Sequence, residues 1–186
     1  DSPMGIKATN VYAKHQEVYD KNARDVERCS DGIFDLPNLH MSEKTEYSMK
    51  INQINSGAII IAGSGMCTGG RIKHHFKHNI WRDNAHVLIV GFQARGTLGR
   101  ALVDGCKNIK LWGEKIQVNA SIHTIGGFSA HADQQGLLDW YQCFENKPPV
   151  VLVHGEEEAM DVLAQKLKHQ HKVNVIQASY KQNIII

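Results

Sequence analysis

The stretch Ala58-Ile59-Ile60-Ile61-Ala62-Gly63-Ser64-Gly65-Met66-Cys67-Thr68-Gly69-Gly70-Arg71 decides how this chain is read. Its first five residues are wholly apolar and rich in β-branched isoleucine, the pattern of a parallel strand buried on both faces. Glycines then break the run, and a helix-like stretch follows from about Arg71 to Trp81. The order recurs at once: His86 to Val90 reads as a second buried strand, Gly91 to Gly96 as a loop, and Thr97 to Val103 as a short helix. Downstream, Ile109–Trp112 and Ile116–Ile125 read as strands, followed by helix 134–144, strand 150–153, helix 157–170, strand 173–176 and a closing strand at Ile184–Ile186. Upstream, Asp1-Ser2-Pro3 reads as a strand end or loop, and Ile6 to Tyr19 as a loosely amphipathic helix. Asn22 to His40 reads as loop around Gly32 and Pro37 with room for a short helix, and Ser42 as the cap of a helix reaching about Ile54. Strands alternating with helices predict an α/β layered fold with a mostly parallel sheet.

The chain has 186 residues, 42% hydrophobic and 22% charged, enough for one domain or one and a fraction with a sizeable core. No apolar run approaches the roughly 18 residues of a membrane span, and no signal peptide is visible. The first residue is Asp1 and not Met, which fits a processed or truncated product. Cys29, Cys67, Cys106 and Cys143 form no CxxC pair, which argues against a zinc knot or disulfide framework and for a reducing, cytoplasmic setting. The net charge of +2 is unevenly spread: residues 51–120 carry nine basic and three acidic side chains, while both flanks are net acidic. Such a basic block suits a polyanion such as nucleic acid; the plainer alternative is an ordinary fluctuation of surface charge.

Two kinds of motif carry chemistry. In the first, glycines sit between a strand and a helix. At Gly65, Gly69 and Gly70 backbone N–H groups can approach a phosphate, and Arg71 can add a charged fork. A tight turn that merely needs glycine accounts for the same residues. The spacing matches neither a P-loop nor the dinucleotide fingerprint. Arg95 and Arg100, in Gly91-Phe92-Gln93-Ala94-Arg95-Gly96-Thr97-Leu98-Gly99-Arg100, can hold a nucleic-acid backbone or simply be solvated. The second kind places histidine after a strand-like run. Gly126-Gly127-Phe128-Ser129-Ala130-His131-Ala132-Asp133 gathers a hydroxyl, an imidazole and a carboxylate. A Ser129–His131–Asp133 triad does not suit one short segment, so acid–base or phosphate contact by His131 is the more natural role. Val150-Val151-Leu152-Val153-His154-Gly155-Glu156 ends a buried strand on a histidine able to ligate a metal, although one histidine is not a metal site. His74 and His78 share a helix face at i,i+4, but no glutamate completes a zinc motif and Lys73 and Lys77 stand beside them. No G-x-S-x-G elbow supports a small-molecule hydrolase built on Ser129.

Together these segments resemble the β-CASP branch of the metallo-β-lactamase superfamily, RNA-processing nucleases that include the cleavage-and-polyadenylation endonuclease. Asp1-Ser2-Pro3-Met4 is similar to the family's DSPMA, with Gly5 in place of Ala. Ile59 to Arg71 resembles its IIIAGSGM-x-x-GGR block, and Gly91 to Arg100 its G-x-QA-x-GTLGR block. Phe128 to Asp133 resembles motif B, FSAHAD, and Leu152 to Glu156 motif C, LVHGE. The resemblance implies a Rossmann-like β-CASP layer with a mostly parallel sheet, its latter part being residues 1–121. Residues 122–186 would be the C-terminal return segment of a metallo-β-lactamase αββα domain.

The same resemblance implies hydrolysis of RNA phosphodiester bonds by a pair of zinc ions. His154 would be a zinc ligand and His131 the general acid near the scissile phosphate. Ser129, Gly65, Gly69, Gly70, Arg71, Arg95 and Arg100 would lie on the substrate side, and Asp133 would orient a histidine. The family's HxHxDH motif, its later His and Asp ligands and its acidic motif A have no counterpart here. The chain is therefore expected to be a C-terminal portion that holds no zinc alone and is inactive alone. Its expected partners are RNA and the upstream portion of the same protein, with a homodimer also possible and no membrane. The rival reading is a non-catalytic RNA-binding module or partner subunit, for which the basic block and glycine-rich loops suffice.

Overall fold

A helix needs an acceptor for its first free N–H groups and tolerates proline at its first position, and Ser2-Pro3 supplies both. In the computed structural model, which describes residues 1–29, 34 and 36–185, α1 spans Pro3–Lys14 and the Ser2 hydroxyl accepts the Gly5 N–H at 3.3 Å. The chain divides into two compact units, Asp1–Ser129 and Ala130–Ile186.

The first unit continues through α2 (Lys21–Cys29), α3 (Thr45–Ile51), α4 (Ile72–Asn79), β1 (His86–Ile89) and α5 (Leu98–Val103). It then forms β2 (Asn108–Leu111), β3 (Glu114–Gln117) and β4 (Ser121–Thr124). β1 pairs in parallel with β4, and β2 and β3 form an antiparallel hairpin. Cys67, Phe76, Ile80, Ile89, Leu102, Ile109, Leu111 and Ala120 make its core. Ile80 is 1% exposed, and its carbonyl accepts the N–H groups of both Asn119 and Ala120 at 3.0 Å. The end of α4 is thereby fastened to the crossover between β3 and β4. The second unit contains α6 (Gln134–Gln142), β5 (Val150–Leu152), α7 (Glu157–His171) and β6 (Val175–Gln177), with β5 parallel to β6. Its core is Leu138, Tyr141, Ala164, Leu167, Val173 and Val175.

The sheets depart from the sequence reading. Among the described residues they are three two-stranded pairs and not one layer. The run Ala58–Ala62 belongs to no sheet, and Ile59 and Ile61 are 86% and 74% exposed. It faces β1 across a slot of about 550 Å³ lined by Ile60, Ile72, Phe76, Ile80 and Val87. A strand exists only through its partners, and apolar character alone supplies none. The expected strand Ile116–Ile125 is broken at Val118–Ala120, because the backbone there turns aside to Lys107 and Ile80. Ser42 caps nothing: α3 begins at Thr45, and the Ser42 carbonyl accepts the Arg71 guanidinium instead. Ile184 and Ile185 are not in a strand, while Ile186 and the loop around Gly32 lie outside the described residues.

One buried carboxylate ties the first unit together. Asp1 Oδ1 accepts Arg71 Nη1 at 2.6 Å, and Oδ2 meets Ser48 Oγ at 2.7 Å and His75 Nε2 at 2.8 Å. The Asp1 N–H donates to the Ile61 carbonyl at 2.7 Å. Arg71 also donates to the carbonyls of Ser42 (2.7 Å) and Glu43 (2.6 Å), so α1, α3, α4 and the 58–62 run meet at one point. Burial, the largest cause, together with the positive charges of neighbours that include His74 and Arg71, lowers the His75 pKa below its ordinary 6.5. The Asp1 carboxylate pulls the other way but is already shared with Arg71 and Ser48.

A neutral buried imidazole binds fewer protons than the same group unfolded, so its contribution is present above pH 6.5 and is lost as pH falls through the folded pKa. Chemical denaturation of the wild type is expected to show stability falling steadily below pH 6.5. His75→Gln should flatten that fall; an equally steep fall in the variant would refute the assignment. Ile80→Ala is expected to cost about 2–5 kcal/mol through lost burial and the cavity left behind, read as a lower denaturation midpoint.

Candidate nuclease site

The two glycine-rich loops form a single construction. In the first, Ile72 N–H reaches back to the Gly63 carbonyl at 3.1 Å and the Gly69 N–H donates to Ser64 Oγ at 3.2 Å. Gly70 has φ +69°, and a Cβ there would overlap the Gly63 carbonyl, so this position requires glycine. In the second, Gln93 is buried, and its Nε2 donates to the carbonyls of Gly65 (2.9 Å), Gly91 (3.1 Å) and Phe92 (3.0 Å). The Gly99 N–H donates to the Met66 carbonyl at 3.1 Å, and a Cβ on Gly99 would overlap the Gln93 amide. Gln93 and Gly99 therefore lock one loop to the other, and sequence reasoning passed both over. The available signal was a polar residue between two apolar strands' loop glycines, where a buried amide has backbone carbonyls to satisfy it.

The cations of these loops have defined partners. The guanidinium of Arg71 serves Asp1, Ser42 and Glu43. Arg100 makes a two-point ion pair with Asp104, Nε to Oδ2 at 3.0 Å and Nη2 to Oδ1 at 2.9 Å. Arg95 is exposed on the loop, as is Gly65; Gly69 is half-buried. Thr97 caps α5, its hydroxyl accepting the Arg100 N–H at 3.2 Å. Cys67, whose thiol burial pushes up to about 11, packs in the core beneath the loop as an inert apolar group.

The histidine segments lie further on. Gly126–Phe128 forms a single 3₁₀ turn, and Ser129 and His131 are both exposed after it. The division between the two units falls between Ser129 and Ala130. Asp133 caps α6, its Oδ1 accepting the Gly136 N–H at 2.8 Å. The sequence contained that signal, an Asp directly before a helical run.

His154 follows β5 with φ +61°, a left-handed conformation uncommon outside glycine that histidine adopts more readily than most residues. It is exposed at the carboxyl end of a parallel strand and just before α7, the place where open α/β sheets present ligand groups. Among the described residues no three His, Cys, Asp or Glu side chains converge to hold a metal ion. The donor set of these residues does not fit a complete zinc site.

The β-CASP domain family matches residues 1–102, and the Zn-dependent metallo-hydrolase RNA specificity domain matches residues 115–178. The chain is 36% identical over 167 residues to a ribonuclease of Thermus thermophilus, covering 90% of this chain and 38% of that protein. It is 40% identical over 159 residues to the transcription termination factor FttA of Pyrococcus abyssi, covering 82% of this chain and 24% of that one. The FttA of Thermococcus kodakarensis is 33% identical over 158 residues, covering 81% and 24%. The chain thus spans about a quarter to two fifths of the length of these relatives. No helix among the described residues is long and apolar enough to cross a membrane. With its loops, motif segments and both domain matches in one order, this α/β chain belongs to the β-CASP branch of the metallo-β-lactamase superfamily, the RNA-processing nucleases.

Proposed function

We propose that the chain is the C-terminal portion of a zinc-dependent ribonuclease that hydrolyses RNA phosphodiester bonds, with this portion supplying RNA contacts and two working histidines. The observation that carries the reading is His154, exposed just after β5 inside the segment that matches a zinc-dependent metallo-hydrolase domain. In this reading His154 donates one ligand to a zinc centre completed by an upstream portion of the protein. His131 stands near the scissile phosphate and gives a proton to the leaving oxygen, a role an imidazole fills near neutral pH. Because the donor set here is incomplete, no step is assigned to the metal.

On the substrate side, Gly65, Gly69, Gly70, Ser129, Arg95 and Arg100 form the proposed phosphate-facing surface. Arg71 acts on that surface through the loop it anchors. Asp133, whose Oδ1 caps α6 directly after His131, would also orient a histidine. Residues 1–121 would complete a Rossmann-like β-CASP layer and residues 122–186 the return into an αββα domain. The parallel pairings of β1 with β4 and β5 with β6 support that arrangement. Unpaired strand edges make the upstream portion, or a second copy, the natural partner. The proposed setting is cytoplasmic. The incomplete donor set also favours a second reading, a non-catalytic RNA-binding module.

The two readings separate in one experiment on the product of the complete reading frame, measuring zinc content and RNA cleavage. The nuclease reading expects bound zinc and cleavage, His154→Ala losing zinc, and His131→Ala keeping zinc while losing about 100-fold or more in rate. RNA binding with neither zinc nor cleavage would overturn it in favour of the binding module.

A further inference from the structure

The hairpin of β2 and β3 turns on Trp112-Gly113, with φ +48° and +87°. Positive φ at both central residues is what a type I′ turn requires, and asparagine or glycine is the residue that meets it cheaply. A bulky aromatic side chain in the left-handed region is an outlier. Hairpin formation therefore does not explain this tryptophan. Nor does core packing, since Trp112 is 52% exposed while Ile109 and Leu111 fill the interior behind it.

Cations from one helix lie over the ring. Lys73 Nζ lies 5.1 Å and Lys77 Nζ 6.0 Å from its centroid, both from α4. The His74 ring stacks on it at 4.6 Å with a 34° tilt. One carboxylate is present, Glu114, whose Oε1 pairs with Lys77 at 2.7 Å. On the hairpin Lys110 and Lys115 stand directly opposite one another, both exposed. Like charges in that position are unfavourable unless something anionic lies across them. The patch sits within the most basic third of the chain and outside both glycine loops and both histidine segments.

We propose that Trp112, flanked by Lys73 and Lys77, is a seat for single-stranded RNA, with a base stacked on the open part of the indole and neighbouring phosphates on the lysines. Aromatic platforms edged by cations bind single strands in this way without reading sequence, because every base has a π-face. A duplex keeps its bases stacked inside and cannot use the ring. The choice of RNA over DNA rests on the nuclease reading above. The seat would contribute to substrate affinity and not to the rate of bond breakage.

The test measures binding of a fluorescein-labelled oligouridylate, and of an RNA duplex of equal length, to the full chain. Trp112→Asn is the decisive variant, because it places the preferred Asn-Gly pair in the turn and leaves the hairpin core intact. It should remain folded by circular dichroism and bind the single strand about fivefold or more weakly, with duplex binding unchanged. Trp112→Phe should keep most of the affinity, and Lys73→Ala with Lys77→Ala should reduce the salt slope by about 1.4. A folded Trp112→Asn that binds as the wild type does would overturn the seat while leaving the nuclease reading intact. If the wild-type chain does not bind the oligouridylate, the seat is overturned as well, and cleavage by the complete product then decides the nuclease reading independently.

Discussion

A carboxylate that is 1% exposed must be neutralised and hydrogen-bonded or it will not stay ionised, and the first unit is arranged around meeting that demand at Asp1. Arg71 meets one oxygen, Ser48 and His75 the other. Each partner arrives from a different place in the chain, so satisfying one group fixes the positions of α1, α3 and α4 together. Arg71 carries the constraint further, since its remaining donors bind the Ser42 and Glu43 carbonyls, ahead of the start of α3 at Thr45. The Asp-Ser-Pro start and the Gly-Gly-Arg end of the first loop are thus two halves of one interaction.

From that point the constraint reaches the functional surface. Arg71 ends the first glycine loop, whose carbonyls at Gly65 and Met66 are held by Gln93 and Gly99 of the second. Both loops therefore present a fixed backbone, as pre-organised contact with a polyanion needs. The cations divide into two roles. Arg71 is bound to a buried carboxylate and two backbone carbonyls, whereas Arg100 and Lys77 each pair with an exposed carboxylate, and Lys73 and Lys77 gather at an exposed indole. Charge composition alone could not make that division, because it depends on which acceptors the folded backbone brings near.

Much of the architecture was legible in the sequence. The helices at 72–79, 98–103, 134–142 and 157–171 and the strands at 86–89 and 150–152 fall where periodicity and glycine punctuation predict. What escaped was set by tertiary partners. Ala58–Ala62 has every local mark of a strand but pairs with none among the described residues, and Val118–Ala120 interrupts an alternating run because Ile80 offers its carbonyl. The candidate site shows the same limit. Motif resemblance pointed to His131 and His154, and the left-handed backbone of His154 could be seen only in three dimensions. Asp133 was visible as a carboxylate beside a histidine, but its bond to Gly136 makes it a helix cap.

The Asp1–Arg71 pair is the structural hub of the first unit. Denaturant unfolding of Arg71→Gln against wild type tests it most directly. Leaving the Asp1 carboxylate buried without its charge partner should cost about 3 kcal/mol or more. A midpoint and slope indistinguishable from wild type would show that the pair is no hub and return Arg71 to the role of a surface cation.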